Sequence, residues 1–149
     1  MYKMILVPLD GSKRAEQILP HVEELAQCMG STVLVMQVLE TQMVFSGMEM
    51  AEQEAAFEAY KKELQTAEHY VAEIQAKLQE KGLHCQARVE HGSVVQSIIR
   101  VSRQTDVDLI AMASHGRTGL SRVFYGSVAA GVLHLTDRPI LVIRAEGED

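Results

Sequence analysis

The chain has no tryptophan, three prolines and two cysteines among 149 residues, and each shortage excludes something. Cys28 and Cys85 lie in unrelated segments without Cys-x-x-Cys spacing, so they make neither a disulfide framework nor a metal site. Small buried or half-buried apolar groups are the expectation for both. None of the six histidines pairs as His-x-x-x-His or sits beside cysteine at metal-ligand spacing. Positive charge is scarce, with 14 Lys and Arg against 20 Asp and Glu, a net charge of -6 and a pI near 5.5. Such a chain lacks the basic stripe of a nucleic-acid-binding surface. No apolar run reaches the ~20 residues of a membrane helix, and no signal peptide is expected. The expectation is a cytoplasmic protein with neither membrane nor nucleic acid as partner.

Several catalytic signatures are missing too. No Gly-Lys-Ser/Thr of a P-loop and no strand-linked Gly-x-Gly-x-x-Gly of a dinucleotide fold is present. Ser12, Ser114 and Ser127 lack a Gly-x-Ser-x-Gly elbow, and nothing resembles a positioned base for phosphoryl transfer. No catalytic residue is assigned.

What is present is an alternation. With 47% hydrophobic residues, the chain reads as one domain, 1–149, large enough for a proper core. Short continuous apolar runs at 4–8, 32–38, 85–90, 109–113 and 140–144 read as strands buried on both faces. Between them fall helical stripes. Ala15, Ile18, Leu19, Val22, Leu25, Ala26 and Met29 form the first, which Pro20 should kink or restart. A long helix at 53–81 carries Tyr60, Leu64, Ala67, Val71, Ile74 and Leu78, spaced for a face laid on a sheet rather than for a coiled coil. Val94, Val95, Ile98, Ile99 and Ser102 make the inner face of the next, and 127–135 is the last. Strands alternating with helices imply an α/β fold, a parallel sheet covered on both sides.

The most informative stretch runs Met112-Ala-Ser-His-Gly-Arg-Thr-Gly-Leu-Ser-Arg-Val-Phe-Tyr-Gly-Ser-Val128. It joins a buried strand to a helix through glycines, whose backbone N–H groups can converge on one anion beside a helix N-terminus. Gly116, Gly126, Ser127 and Val128 are thus candidates to hold phosphate, with Ser127 as helix cap or hydroxyl donor. Asp10, directly after the first strand, is either a ligand-hydroxyl or Mg²⁺ contact or the acceptor of an Asx-turn. Arg117 and Arg122 either neutralise phosphate or are exposed loop arginines, and His115 could anchor backbone.

Gly116, nine residues, then Gly126-Ser127 resembles the second half of the Gly-x2-Gly-x9-Gly-Ser/Thr motif of ATP-binding universal stress proteins. Ile5-Leu-Val-Pro-Leu-Asp-Gly-Ser12, Val38 and Arg138-Pro-Ile-Leu-Val-Ile-Arg144 extend the resemblance over essentially the whole chain. Ala113 stands where that motif has its first glycine, and its Cβ should weaken close backbone approach. The resemblance implies a doubly wound sheet of order 3-2-1-4-5, with the ligand at the reversal outside the first and fourth strands. Pro8, Leu9, Asp10, Met112 and Ala113 are the residues at those ends. It also implies adenine contact at Val38, ATP or another adenine nucleotide as ligand, possible participation of Mg²⁺, and a homodimer through residues 140–144. The function so implied is a nucleotide-operated switch with an unknown signalling partner. The alternatives are a slow Mg²⁺-dependent ATP hydrolase and a nucleotide-free dimeric interaction module. The apolar segment with Met43, Val44, Phe45, Met48 and Met50 either lids the nucleotide or adds dimer contacts.

Overall fold

The apolar runs become five strands, β1 (Met4–Leu9), β2 (Thr32–Leu39), β3 (His84–His91), β4 (Leu109–Ser114) and β5 (Ile140–Arg144). They form one all-parallel sheet in the order β3-β2-β1-β4-β5. The structure is a computed structural model and describes residues 1–40, 46–114 and 126–147. Helices α1 (Lys13–Glu16), α2 (Leu19–Met29) and α3 (Met50–Glu80) precede the reversal of strand order, and α4 (Val94–Gln104) and α5 (Ser127–Leu135) follow it.

The period of two along each strand divides the core. Ile5, Val7, Leu9, Val33, Val35, Leu109 and Ala111 cluster with Ile18, Val22, Ala26, Val71, Ile74 and Leu78 of α2, α3 and the residue before them. Leu6, Leu34, Met36, Ile110 and Met112 point the other way, to Ile98, Val101, Ala129 and Val132 of α4 and α5. Leu141 and Ile143 of β5 join the first cluster and Ile140 and Val142 the second.

Pro20 restarts the first helix rather than kinking it. α1 ends at Glu16, and α2 opens with Pro20 in its first turn, where a missing N–H leaves no helical bond unmade. α3 begins at Met50, three residues before the sequence pattern suggests, because Glu52 accepts the Glu49 N–H at 3.2 Å and closes the helix start. Only Ala67, Val71, Ile74 and Leu78 of α3 are buried, so the stripe does lie on the sheet. Cys85 is buried as expected, and burial pushes its thiol up to about 11. Cys28 departs from expectation and is exposed, on the outer side of α2.

Candidate functional site

The site begins with the way β1 is paired. On one side its ladder with β2 runs the full strand, from Met4↔Thr32 to Leu9↔Gln37. On the other, pairing with β4 stops after Ile5↔Leu109 and Leu6↔Ile110. Backbone direction explains the stop. The Lys3 carbonyl accepts from Thr32 on the β2 side, and the Met4 carbonyl accepts from Asp108 on the β4 side. Alternation then turns Met4, Leu6 and Pro8 toward β4. Pro8 has no N–H to offer there, so the ladder cannot continue. Beyond Leu6 the two strands part, at the reversal in strand order, and leave a crevice of about 240 Å³ at their carboxyl ends.

Pro8, Leu9 and Asp10 line it from β1, Met112, Ala113 and Ser114 from β4, and Gly126, Val128 and Ala129 from the start of α5. Seven of the residues expected from sequence therefore meet in one place. Ser12, Arg14, Ala15, Glu40 and Val94 complete the lining; sequence reasoning assigned none of them to it. Arg14 is the cation among the described lining residues, and Asp10 and Glu40 are the acids. Arg14 was findable once Ser12 was taken as a helix cap at the rim, since the first turn of α1 must then face the crevice.

Asp10 forms the Asx-turn that its position allowed and keeps one carboxylate oxygen toward the crevice. Its Oδ1 accepts from the Ser12 N–H (2.9 Å) and Ser12 hydroxyl (2.6 Å), an Asx-turn through Gly11 at φ +87°. The Ser12 oxygen in turn accepts the Ala15 N–H at 3.1 Å and caps α1. Asp10 Oδ2 carries no hydrogen bond among the described residues, and Asp10 is exposed at the crevice mouth. An oxygen so placed can accept a ligand hydroxyl or touch a hard cation. Among the described residues no three His, Cys, Asp or Glu side chains stand together as a metal site.

At the start of α5 the cap is Gly126, not Ser127, which is the first helical residue and exposed. The first helical bond is Ala130 N–H to the Gly126 carbonyl, 2.9 Å. No side chain caps the helix, so the amides of Ser127, Val128 and Ala129 lack intrahelical partners. This is the arrangement that attracts an anion. Ser114 is held by its own hydrogen bond, Oγ to the Ile143 carbonyl at 3.2 Å.

Val38 does not line the crevice. Its side chain packs into the α4–α5 core cluster, and β1 stands between β2 and the crevice. Ala113 is half-buried at the crevice, with its side chain on the α1–α3 side. His115, Gly116, Arg117 and Arg122, like Met43, Val44 and Phe45, lie outside the described residues. No helix among the described residues is long and apolar enough to cross a membrane.

A model of the universal stress protein family matches residues 1–144. The chain is 26% identical to Universal stress protein MJ0577 of Methanocaldococcus jannaschii, over 97% of this chain and 96% of that one. The solved structure of MJ0577 superposes with a TM-score of 0.81 at 27% identity, covering 99% of both chains. A universal stress protein of Archaeoglobus fulgidus in complex with dAMP shares the fold at 17% identity, with a TM-score of 0.64 over 96% of this chain and 98% of that one. Another, in complex with cAMP, does so at 16% identity and a TM-score of 0.66, over 97% and 98%.

Proposed function

The chain belongs to the universal stress protein family, and from that premise we propose that it binds an adenine nucleotide, ATP foremost, as a regulatory switch. The observation that carries this reading is the crevice between β1 and β4, with the uncapped start of α5 on one wall and Asp10 on the other. Amides of Ser127 and Val128 would receive phosphate oxygens, and the dipole of α5 adds to their pull. Asp10 Oδ2 would accept from a ribose hydroxyl, or meet Mg²⁺ carried in with the phosphates; the oxygen donor suits that hard cation. Arg14 offsets charge near the phosphates. The cAMP and dAMP held by two proteins of this fold give the reading further support, since both ligands are adenine nucleotides.

Binding without fast turnover is the expected mode. The sequence carries no P-loop Gly-Lys-Ser/Thr, and hydrolysis is expected to run far below the ~1–10³ s⁻¹ of ordinary enzymes. Switching needs a state with different nucleotide affinity, and a signalling partner would read that state. The second copy of this chain is one such partner. The edge strand β5 presents half-buried Ile140, Leu141, Val142 and Ile143, and an unpaired edge of this kind is normally covered. Two β5 strands about a two-fold axis would cover each other. Sedimentation of the wild type as a dimer at micromolar concentration, weakened by Val142→Lys, is the expected outcome.

Calorimetric titration with ATP tests the central claim. Gly126→Val puts a side chain where phosphate should sit and is expected to abolish the binding heat. Unchanged affinity in that variant would remove the phosphate assignment. Ala113 is the observation that favours the competing reading, a nucleotide-free dimer, and absence of any ATP affinity in the wild type would select it.

A further inference from the structure

Behind the turn at residues 10–12 lie buried polar groups that nucleotide contact leaves without a role. The Tyr70 hydroxyl and Gln37 Oε1 are shielded from solvent there, and neither has a hydrogen bond of good geometry among the described residues. Beside them Glu16 Oε2 meets the Lys13 ammonium at 3.1 Å. Buried polar atoms left unsatisfied are uncommon in folded proteins and concentrate where a structure serves something besides stability.

These groups converge on Gly11. Gln37 sits opposite Leu9 in the ladder, and its Nε2 lies 3.9 Å from where a Cβ on Gly11 would stand. Tyr70 reaches in from α3, its ring against the core cluster that holds Leu9 and Ile18. Its hydroxyl faces the Gly11 N–H, with the Glu16 and Asp10 carboxylates as charged neighbours. Burial first, and then those two negative charges, hold the phenol well above its usual range. At neutral pH it is therefore an intact O–H, a donor set among acceptors and an acceptor facing an amide.

Gly11, at φ +87°, is the most permissive residue of the turn, and the Asx-turn ties Asp10 only to Ser12. Rotation about Gly11 would carry the Asp10 carboxylate with it unless something behind the turn resists.

We propose that Tyr70 is a positioning residue, holding the turn at residues 10–12 from behind so that Asp10 meets the ribose hydroxyls of a bound nucleotide. This rests on the nucleotide reading above and deepens it, because it makes α3 part of the apparatus that recognises ribose.

The test is calorimetric titration of ATP and of 2′,3′-dideoxy-ATP, which lacks the ribose hydroxyls. Wild type, Tyr70→Phe, Asp10→Asn and the double variant are compared. Tyr70→Phe keeps the ring and removes the hydroxyl. It should weaken ATP about fivefold, a coupling usual for contacting residues, and leave dideoxy-ATP unchanged. In the Asp10→Asn background it should change neither. Equal weakening of both nucleotides, or weakening of neither, overturns the proposal while leaving nucleotide binding intact. Wild-type protein that binds neither nucleotide overturns both readings at once. Amide exchange at Gly11 gives a check that needs no ligand: Tyr70→Phe should speed it without speeding exchange in β2, and uniform acceleration would mark Tyr70 as part of the general core.

Discussion

The two flanks of β1 are built from the same residues and end differently. Toward β2 the strand pairs along its full length; toward β4 it pairs at Ile5 and Leu6 and then departs. Side chains do not make the difference, since Val7 and Leu9 are as buried as Ile5 and Leu6. It comes from which backbone groups face which neighbour, and from one imino acid, Pro8, on the open flank. A parallel sheet thus keeps its core continuous while exposing backbone at one point. The zipped flank supplies stability, and the parted one leaves the crevice.

The largest expected effect tests that division of labour. Ile5 is fully buried in the cluster shared by β1, β2, α2 and α3. Ile5→Ala should cost about 2–5 kcal/mol, the transfer and cavity cost of such a truncation, read from urea unfolding. Nucleotide affinity of the protein that remains folded should be unchanged. If affinity falls in step with stability, the two flanks are not separable. A smaller effect comes from giving the open flank its missing donor. Pro8→Ala restores an N–H on the β4 side, and a new ladder bond contributes about 0.5–1.5 kcal/mol. A nucleotide would have to break that bond, so affinity should drop by up to about tenfold. The amide of residue 8 should become protected from exchange. Fast exchange and unaltered affinity would mean that Pro8 does not hold the flanks apart.

The same contrast separates what was legible in the sequence from what was not. Runs such as 4–8 and 109–113 are apolar without alternation because both faces of a central parallel strand are covered, and that pattern is local. The stripe on α3 was equally plain, since Ala67, Val71, Ile74 and Leu78 keep the alternating spacings of four and three to the end. The meeting of Asp10 with Gly126 was legible through topology, once the strand order followed from family resemblance. What the residues left open depended on tertiary placement. Pro20 announces a break, but a separate α1 is secured by Gln17, whose side chain bonds the Glu146 backbone both ways, at 2.6 and 2.9 Å. Arg14 enters the crevice only because α1 is set there. Val38 lies on β2, with β1 between it and the crevice, while Glu40, just past the end of β2, reaches the lining. Ser127 looked like a cap because serine caps well; Gly126 takes that position instead, and no side chain among the described residues caps the helix.

Ala113 lies on the parted flank, and its substitution sharpens the comparison at a still smaller scale. Ala113→Gly should raise ATP affinity by at most about 1 kcal/mol, against a glycine cost of ~0.5–1 kcal/mol. The alanine side chain also packs toward the α1–α3 side, so part of any gain is returned as looser packing. A fall in affinity would show that the methyl group is itself a ligand contact.

The smallest effect sits at the bottom of the open flank, where two ladder pairs are supplemented by Asp108. Its Oδ2 accepts the Lys3 and Met4 N–H groups at 2.7 and 2.9 Å, and its own N–H returns a bond to the Met4 carbonyl. These backbone donors, Met4 first and then Lys3, hold the Asp108 carboxyl below the usual carboxylate range. A carboxylate whose folded pKa is depressed adds stability that is present above its unfolded pKa, ~3.9 for aspartate. That stability is lost as pH falls through the lower folded value. Because the group stands close to solvent, screening keeps the contribution small. Asp108→Asn should therefore be slightly less stable than wild type at pH 6, and the difference should close as pH drops below about 4. Amide exchange locates the loss: the variant should open the β1–β4 pairs and leave the β1–β2 pairs protected. Equal opening on both flanks would mean that β1 responds as a single unit, and that the parted flank is no independent element of the fold.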